Sequence, residues 1–560
     1  MTAYSTENDG FYEKLGAILG VRPEEGLGQT AYHEKADFTR TVSTYAPHQA
    51  DIKGGFYTLY VYTDIIDYQS VGFNIAKPHL KTAAKNIASE VISNVISRNR
   101  DERQQDGSGL MVMARKRMSK PPGVRRRGRT IKKKRTVKKT SLTCRKRKKT
   151  TAIEKNTYVE VPPLSAISDS SPLEFFIAGS GEEYIDLNNT LLHLRLKITK
   201  PNGGEIADPA KVALINYPAA TIFSQVDVSL GDRLISQSSS THPYRCIIES
   251  LINYDKDTLE STFSAGLFFK DTAGHMDVKD PLGNNQGLLK RSTYTSRSKI
   301  VDLMGPIHSD IFFQEKLMLN GVDIKIRMIR GKDEFCLMRS DDVAYKLKIV
   351  SASLFVKKVS VAPNVRLAHA QALLSTNAKY PIDRVCLKNF SIPEGARVSN
   401  QENLFLGTLP KSIVLGMTDN DAFTGSYDKN PFAFKHYDLE FLAIYVDGQQ
   451  IPAKPLQPNF TDGSVVREFY QLITATGRHL KNHALSISRS EFARGYSLYA
   501  FNLTPDEDCG QHVSLIKSGN IRLEARFRQP LPNTINLIIY SVFDSIIEVS
   551  NRRQILVDYY

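Results

Sequence analysis

The chain has 560 residues, 41% of them hydrophobic and 24% charged, longer than one hydrophobic core supports, so more than one folded unit is expected. No stretch approaches the roughly 18–20 uninterrupted apolar residues of a membrane span, and the start, MTAYSTENDGFYEKL, lacks the basic and apolar regions of a secretory signal; the expectation is a soluble, intracellular protein without stable membrane insertion. The net charge of +15 is local: 19 of the 74 Lys and Arg residues fall within 115–149, no acid occurs between Gly107 and Ile153, and the other 55 bases nearly balance 59 acids.

In chain order, residues 1–50 read as a poorly ordered leader. Region 51–110 holds two elements. The aromatic and β-branched run GGFYTLYVYTDIIDYQSV over 54–71 predicts a strand or hairpin. Pro78 then starts an amphipathic helix with Leu80, Ala84, Ile87, Val91 and Val95 on one face and Lys77, Lys81 and Lys85 near its beginning. Packing on the body or on another subunit is its plainer role, and a membrane-surface helix the lesser one.

The polar linker SRNRDERQQDGSG leads into a basic arm over 111–153. The cations expected to meet phosphates are Arg115, Lys116, Arg117, Arg125, Arg126, Arg127, Arg129, Lys132, Lys133, Lys134, Arg135, Lys138, Lys139, Arg145, Lys146, Arg147, Lys148 and Lys149. A segment so charged and so poor in large apolar residues does not fold alone, so the arm is expected to be disordered. Contact with phosphates and release of counterions predicts strong, sequence-independent binding to double-stranded DNA. No aromatics are interleaved to stack on bases, which disfavours a single-strand reader. The runs 132–135 and 145–149 also fit a nuclear import signal.

The body alternates apolar and polar residues with the period of half-buried strands. Leu192, Leu194, Leu196 and Ile198 interleave with His193, Arg195 and Lys197. The pattern recurs at Val226–Leu230, at Val322, Ile324, Ile326 and Met328, at Leu439, Phe441 and Tyr445, and at Ile521, Leu523, Ala525 and Phe527. Turn residues punctuate these strands at 200–204, Gly231-Asp232, Asn320-Gly321 and Asp447-Gly448. Helical patterns are few. The best are 244–254, with Cys246, Ile247, Leu251 and Ile252 on a stripe, and 365–374 just after Pro363. Many short strands without regular β–α alternation predict an all-β fold of sandwiches, and about 400 residues suit two tandem jelly rolls better than one. The first is placed at 154–365 and the second at 366–560, with the join near 362–381.

Catalytic signatures are missing: there is no GxxxxGK[ST], HExxH, GxSxG, or HxE with PCxxC. Glu182, Glu183 and Asp186, and Asp506, Glu507 and Asp508, read as solvated loops. His308, two residues before Asp310, reads as a loop hydrogen-bonder and not as a base. The cysteines at 144, 246, 336, 386 and 509 form no metal or disulfide pattern. No enzyme, cofactor or metal is expected.

Several long segments resemble the major capsid (hexon-like) protein of Polinton/Maverick transposons and adintoviruses, copies of which occur as transposon-derived genes in animal genomes. They are SPLEFFIAGSGEEYIDLNNTLLHLRLKI, FSQVDVSLGDRLIS, THPYRCIIESLINY, HSDIFFQEKLMLNGVDIKIRMIR, DNDAFTGSYDKNPFAFKHYDLEFLAIYVDGQQIP and RGYSLYAFNLTPD, in that order. The resemblance covers roughly 157–560 and leaves the leader outside. It implies two jelly rolls per chain and a homotrimer of pseudo-sixfold outline tiling an icosahedral shell, with penton-type and internal capsid proteins as further partners. Loops 419–431 and 454–462 would then make intersubunit or surface contacts, the arm would meet packaged DNA, and the chain would reside in virions and, when expressed, in the host nucleus. A minor penton-type shell protein and a DNA-binding scaffold protein are the alternatives.

Overall fold

Alternation of buried and exposed side chains runs through the strands of a computed structural model that describes residues 152–169, 171–179, 181–236, 240–504 and 516–559. The leader, the strand or hairpin expected at 54–71, the helix expected from Pro78, the basic arm through residue 151 with all of its cations, and Asp506, Glu507 and Asp508 lie outside those residues. Residues 149–560 form a compact unit.

Leaving aside a short separate pair, Val212–Leu214 with Leu337–Arg339, the strands described before residue 362 are β1 (Ile153–Val161), β2 (Leu173–Ile177), β3 (Glu183–Thr199), β4 (Phe223–Leu230), β5 (Arg233–Ser236), β6 (Val301–Pro306), β7 (Ile324–Arg330) and β8 (Lys346–Val361). After it come β9 (Ala378–Ile392), β10 (Val398–Gln401), β11 (Ser412–Asp419), β12 (Leu439–Val446), β13 (Gln449–Leu456), β14 (Leu498–Asn502), β15 (Ser518–Phe527) and β16 (Ile535–Val549), with two three-residue strands, Leu406–Thr408 and Ile555–Val557, added beside β15 and β16. The first set pairs in the orders β1-β8-β3-β6 and β2-β7-β4-β5, and the second in the orders β9-β16-β11-β14 and β10-β15-β12-β13. Subtracting eight from the second set reproduces the first. All these pairings are antiparallel. Eight strands wrapped so that the first lies beside the last form a jelly roll, and the chain makes two.

Strand periodicity explains the cores. On β3, Leu192, Leu194, Leu196 and Ile198 point inward, as do Val226, Val228 and Leu230 on β4 and Ile324, Ile326 and Met328 on β7. Each such side chain contributes about 1.5–3 kcal/mol relative to exposure. The Asp447-Gly448 hairpin forms as its sequence predicts: both residues take positive φ, 49° and 80°, between Val446 and Gln449. The strand expected from Val322 starts two residues later, at Ile324, because Asp323 is engaged in the preceding turn, its carboxylate accepting the Gly179 N–H at 2.8 Å.

Four helices of ten or more residues are present among the described residues: α1 (His242–Asn253), α2 (Gln286–Thr295), α3 (Pro363–Ala372) and α4 (Val466–Ala475). α1 and α2 lie between β5 and β6, α4 occupies the equivalent place between β13 and β14, and α3 connects the rolls. Sequence periodicity pointed to α1 and α3 and missed the other two. α4 is written in strand-forming residues (VREFYQLITA), and only the spacing of its buried Glu468, Leu472 and Ala475 marks it as a helix.

Candidate functional site at the junction of the two rolls

α1 starts with Pro243 in its first turn, where the missing N–H costs nothing. The sequence suggested one apolar stripe, but every residue from His242 to Ile252 is buried. A helix buried all round needs neighbours all round, and here both rolls supply them. The Tyr244 ring stacks on Phe423 at 5.3 Å and meets Phe432 edge-on at 5.8 Å, both from the β11–β12 connection of the second roll. At the other end of the helix, Arg478 donates to the carbonyls of Ile252, at 3.0 Å, and Asn253, while Ser486 Oγ donates to that of Leu251 at 2.8 Å. A cation on the last carbonyls satisfies orphan acceptors and complements the helix dipole.

A buried ionic cluster fills the side of α1 between these ends. Arg245 Nε donates to Glu249 Oε1 at 2.8 Å and its Nη2 to Asp310 Oδ1 at 2.7 Å. Asp310 also accepts the backbone N–H of Val385 on β9, at 3.1 Å, and Glu249 accepts the Tyr540 hydroxyl from β16 at 3.3 Å. His308 Nδ1 lies 2.7 Å from Glu249 Oε2, and its Nε2 meets the Tyr217 hydroxyl at 3.2 Å. Burial works against every charge here. For Glu249 it is outweighed by Arg245 and His308, so the carboxyl stays below its ordinary range; for Asp310, burial prevails over Arg245 and pushes it up. Arg245 resists burial because two carboxylates face it and hold it protonated.

A second cluster ties the β5–β6 insertion to the second roll. Arg291 on α2 is fully buried, donating to the carbonyls of Leu214 at 2.8 Å and Phe269 at 2.6 Å and to Asp271 Oδ1 at 2.6 Å. The other Asp271 oxygen accepts from Asn430 Nδ2 at 3.0 Å, and its carbonyl accepts the Tyr496 hydroxyl at 2.7 Å. Packing is close, since a Cβ at Gly287 would lie 2.6 Å from the Lys270 carbonyl oxygen.

A third contact carries a pH signature. Lys435 bridges Asp277 of the first roll at 2.8 Å and Asp419 of the second at 2.7 Å. Burial would raise the Asp419 pKa, but bonds from Lys435, Tyr437 and Asn533 outweigh it and hold the carboxyl well below its usual range. A carboxyl whose folded pKa lies below its unfolded value, about 3.9, stabilises the fold above that value and loses the contribution as pH falls through the folded pKa. The melting temperature is therefore expected to fall steeply below about pH 4, and Asp419→Asn to lower it at neutral pH while flattening that acid limb. Parallel acid limbs in thermal melts of the two proteins would refute this.

Three sequence expectations are corrected by this geometry. Loop 419–431 is in large part an internal seam: Phe423 meets Tyr244, Asn430 meets Asp271, and the Arg339 guanidinium lies 4.3 Å from the Tyr427 ring centroid. Of 454–462, residues 454–456 complete β13. Glu183 and Asp186 sit on β3 and not in a solvated loop, and Asp186 is buried with Lys357 at 3.0 Å. His308 is the loop hydrogen-bonder expected, although its burial and its carboxylate partner were not foreseen. Cys246 Sγ lies 3.3 Å from His242 Nε2. Burial pushes that thiol well above and that imidazole well below their ordinary values, so neither is activated for nucleophilic chemistry. Among the described residues there is no group of three His, Cys, Asp or Glu suited to a metal ion, and no helix long and apolar enough to cross a membrane.

No family model matches the sequence. A chain of the Sputnik virophage, solved by cryo-electron microscopy, superposes with a TM-score of 0.52 at 13% identity, covering 76% of this chain and 93% of that one. The fold is that of the double jelly-roll major capsid proteins. The mavirus major capsid protein (TM-score 0.43, 12% identity, covering 72% of this chain and 90% of that one) and the PBCV-1 capsid (0.47, 11%, covering 73% and 97%) also match. In sequence, the Caenorhabditis elegans uncharacterized protein F54H12.2 is 24% identical over 423 residues, which span 73% of this chain and 98% of the nematode protein. The junction clusters described above fasten the two rolls of this fold together.

Proposed function

We propose that this chain is the major shell subunit of a virus-like particle of the Polinton/Maverick and adintovirus type. The observation that supports this best is the repetition of one eight-strand wrapping order inside a single compact unit whose halves are fastened by buried ion pairs. Such a unit behaves as one rigid block with two similar lobes. Three copies around a threefold axis present six lobes, an outline that tiles a lattice of near-hexagonal cells, and closed symmetry multiplies modest contacts. A penton-type vertex role would need one roll only, so two rolls favour the larger role. In this reading the basic arm lies inside the shell and neutralises packaged double-stranded DNA, and the protein accumulates in virions and in the nucleus of the expressing host.

Size-exclusion chromatography with light scattering on the full chain is expected to give three times the 62.8 kDa chain mass, with shells visible by negative-stain microscopy under assembly conditions. A folded monomer that never associates at any concentration or salt would sink the reading and leave a DNA-binding scaffold in its place.

A further inference from the structure

The outward face of the first roll carries an unbalanced row of cations. On β3, Arg195 and Lys197 alternate with the buried Leu194, Leu196 and Ile198 and therefore point away from the core. β8 lies beside it in antiparallel register, and Lys348 sits directly opposite Lys197, with Lys346 two residues further along. Neighbours on one strand face are about 7 Å apart and directly opposed Cβ atoms about 5 Å apart, so the four cations share one small patch. Arg195 and Lys346 are exposed, and Lys197 and Lys348 are partly so.

Directly opposed like charges destabilise a strand pair, and sheets ordinarily place an acid or a threonine there. No carboxylate among the described residues forms an ion pair with any of the four. The one acid on the neighbouring edge strand, Asp302 on β6, lies opposite Arg195, but its carboxylate is taken by His193 Nε2 at 2.5 Å. Ser351, opposite Arg195 on β8, adds a hydroxyl donor, and no aromatic ring lies among the four cations. The patch is thus rich in donors, held at sheet spacing, and carries a local excess of positive charge that an external anion would relieve.

We propose that this sheet face is a polyanion-binding site that takes the phosphate backbone of nucleic acid, independently of the basic arm and of base sequence. The fixed spacing on a folded sheet separates it from the basic arm, and the absence of rings among the four cations on which bases could stack favours contact with the phosphate backbone. The inference does not depend on the shell reading, since a scaffold protein would use the same face.

The test uses residues 149–560, the compact unit with its own core, and a short mixed-sequence DNA duplex, with binding followed by fluorescence anisotropy across a salt series. The unit is expected to bind without the arm. The quadruple variant Arg195→Gln, Lys197→Gln, Lys346→Gln, Lys348→Gln is expected to weaken binding about tenfold or more and to reduce the slope of log K against log salt by about 3 to 4. A control of equal charge change, Lys325→Gln, Lys332→Gln, Lys454→Gln, Lys481→Gln, removes exposed cations elsewhere and is expected to lose far less. Folding is checked by the single variant Lys348→Gln, whose melting temperature should equal or exceed that of the parent while its slope falls by about 1. Equal losses in patch and control variants would overturn the proposal by reducing it to net charge. Failure of the parent unit to bind duplex would overturn it too, as would a patch variant that binds DNA normally but changes oligomeric state, which would make the face a protein contact.

Discussion

Arg245→Met is expected to destabilise the body by about 3–5 kcal/mol, the cost of stranding a buried charge by removing its partner. Arg245 is 3% exposed and divides its guanidinium between Glu249 and Asp310. Methionine fills much of the space but leaves two carboxyls facing an apolar side chain. Glu249 keeps His308 and Tyr540, whereas among the described residues Asp310 keeps the Val385 N–H alone, so Asp310 is the group that must protonate or move. Its raised pKa makes protonation the cheaper route, and the loss should therefore shrink in mild acid. Arg245→Lys should fall between the parent and the methionine variant, because an ammonium offers a point charge where a fork spans two acceptors. Urea denaturation of the three proteins measures this. A methionine variant within about 0.5 kcal/mol of the parent would show that the cluster contributes register and not stability, as apolar replacements of buried ion pairs sometimes do.

Much of this architecture was legible from side-chain alternation. β3, β4, β7, β12 and β15 all fall where apolar residues alternate, because each buries one face and leaves the other to polar groups. β16 carries a different signal. Its run INLIIYSVF is apolar without alternation, and residues 535–543 are buried on both faces, one against the second roll's core and one toward α1, whose Glu249 meets Tyr540. Continuous apolarity in a short run marks a strand covered on both sides.

The junction was harder to foresee. Arg245 and Glu249 are four apart on a recognisable helix, a spacing that usually means a solvated surface pair. Only the apolar residues on every other face of α1 hint that the pair is enclosed, and nothing local reveals that Asp310 and Val385, 65 and 140 residues downstream, close it. Long-range polar partners leave no periodic trace. The cationic face of β3 and β8 is the reverse case: each strand alone shows an ordinary polar alternation, and the conflict appears only once register sets Lys197 against Lys348.

Arg291→Met is the second substitution with a large expected effect, again about 3–5 kcal/mol, by a different route. Arg291 is wholly enclosed and satisfies two backbone carbonyls as well as Asp271, so its loss strands two acceptors and a carboxylate together. Asp271 is the shared element, since its two carboxylate oxygens receive Arg291 from its own roll and Asn430 from the other. Asn430→Ala alone should cost about 1.5–3 kcal/mol, the range for a hydrogen bond to a charged group. If Asp271 transmits the contact between rolls, the two substitutions cannot be independent: without Arg291 the carboxylate has no reason to keep its orientation, and the Asn430 bond is already weakened. A double-mutant cycle is expected to show a coupling of at least about 0.5 kcal/mol, with the double variant less destabilised than the sum. Strict additivity would mean that the Asn430 side chain holds the rolls together through the Met276 carbonyl, the other acceptor of its Nδ2, and that Arg291 serves the first roll alone.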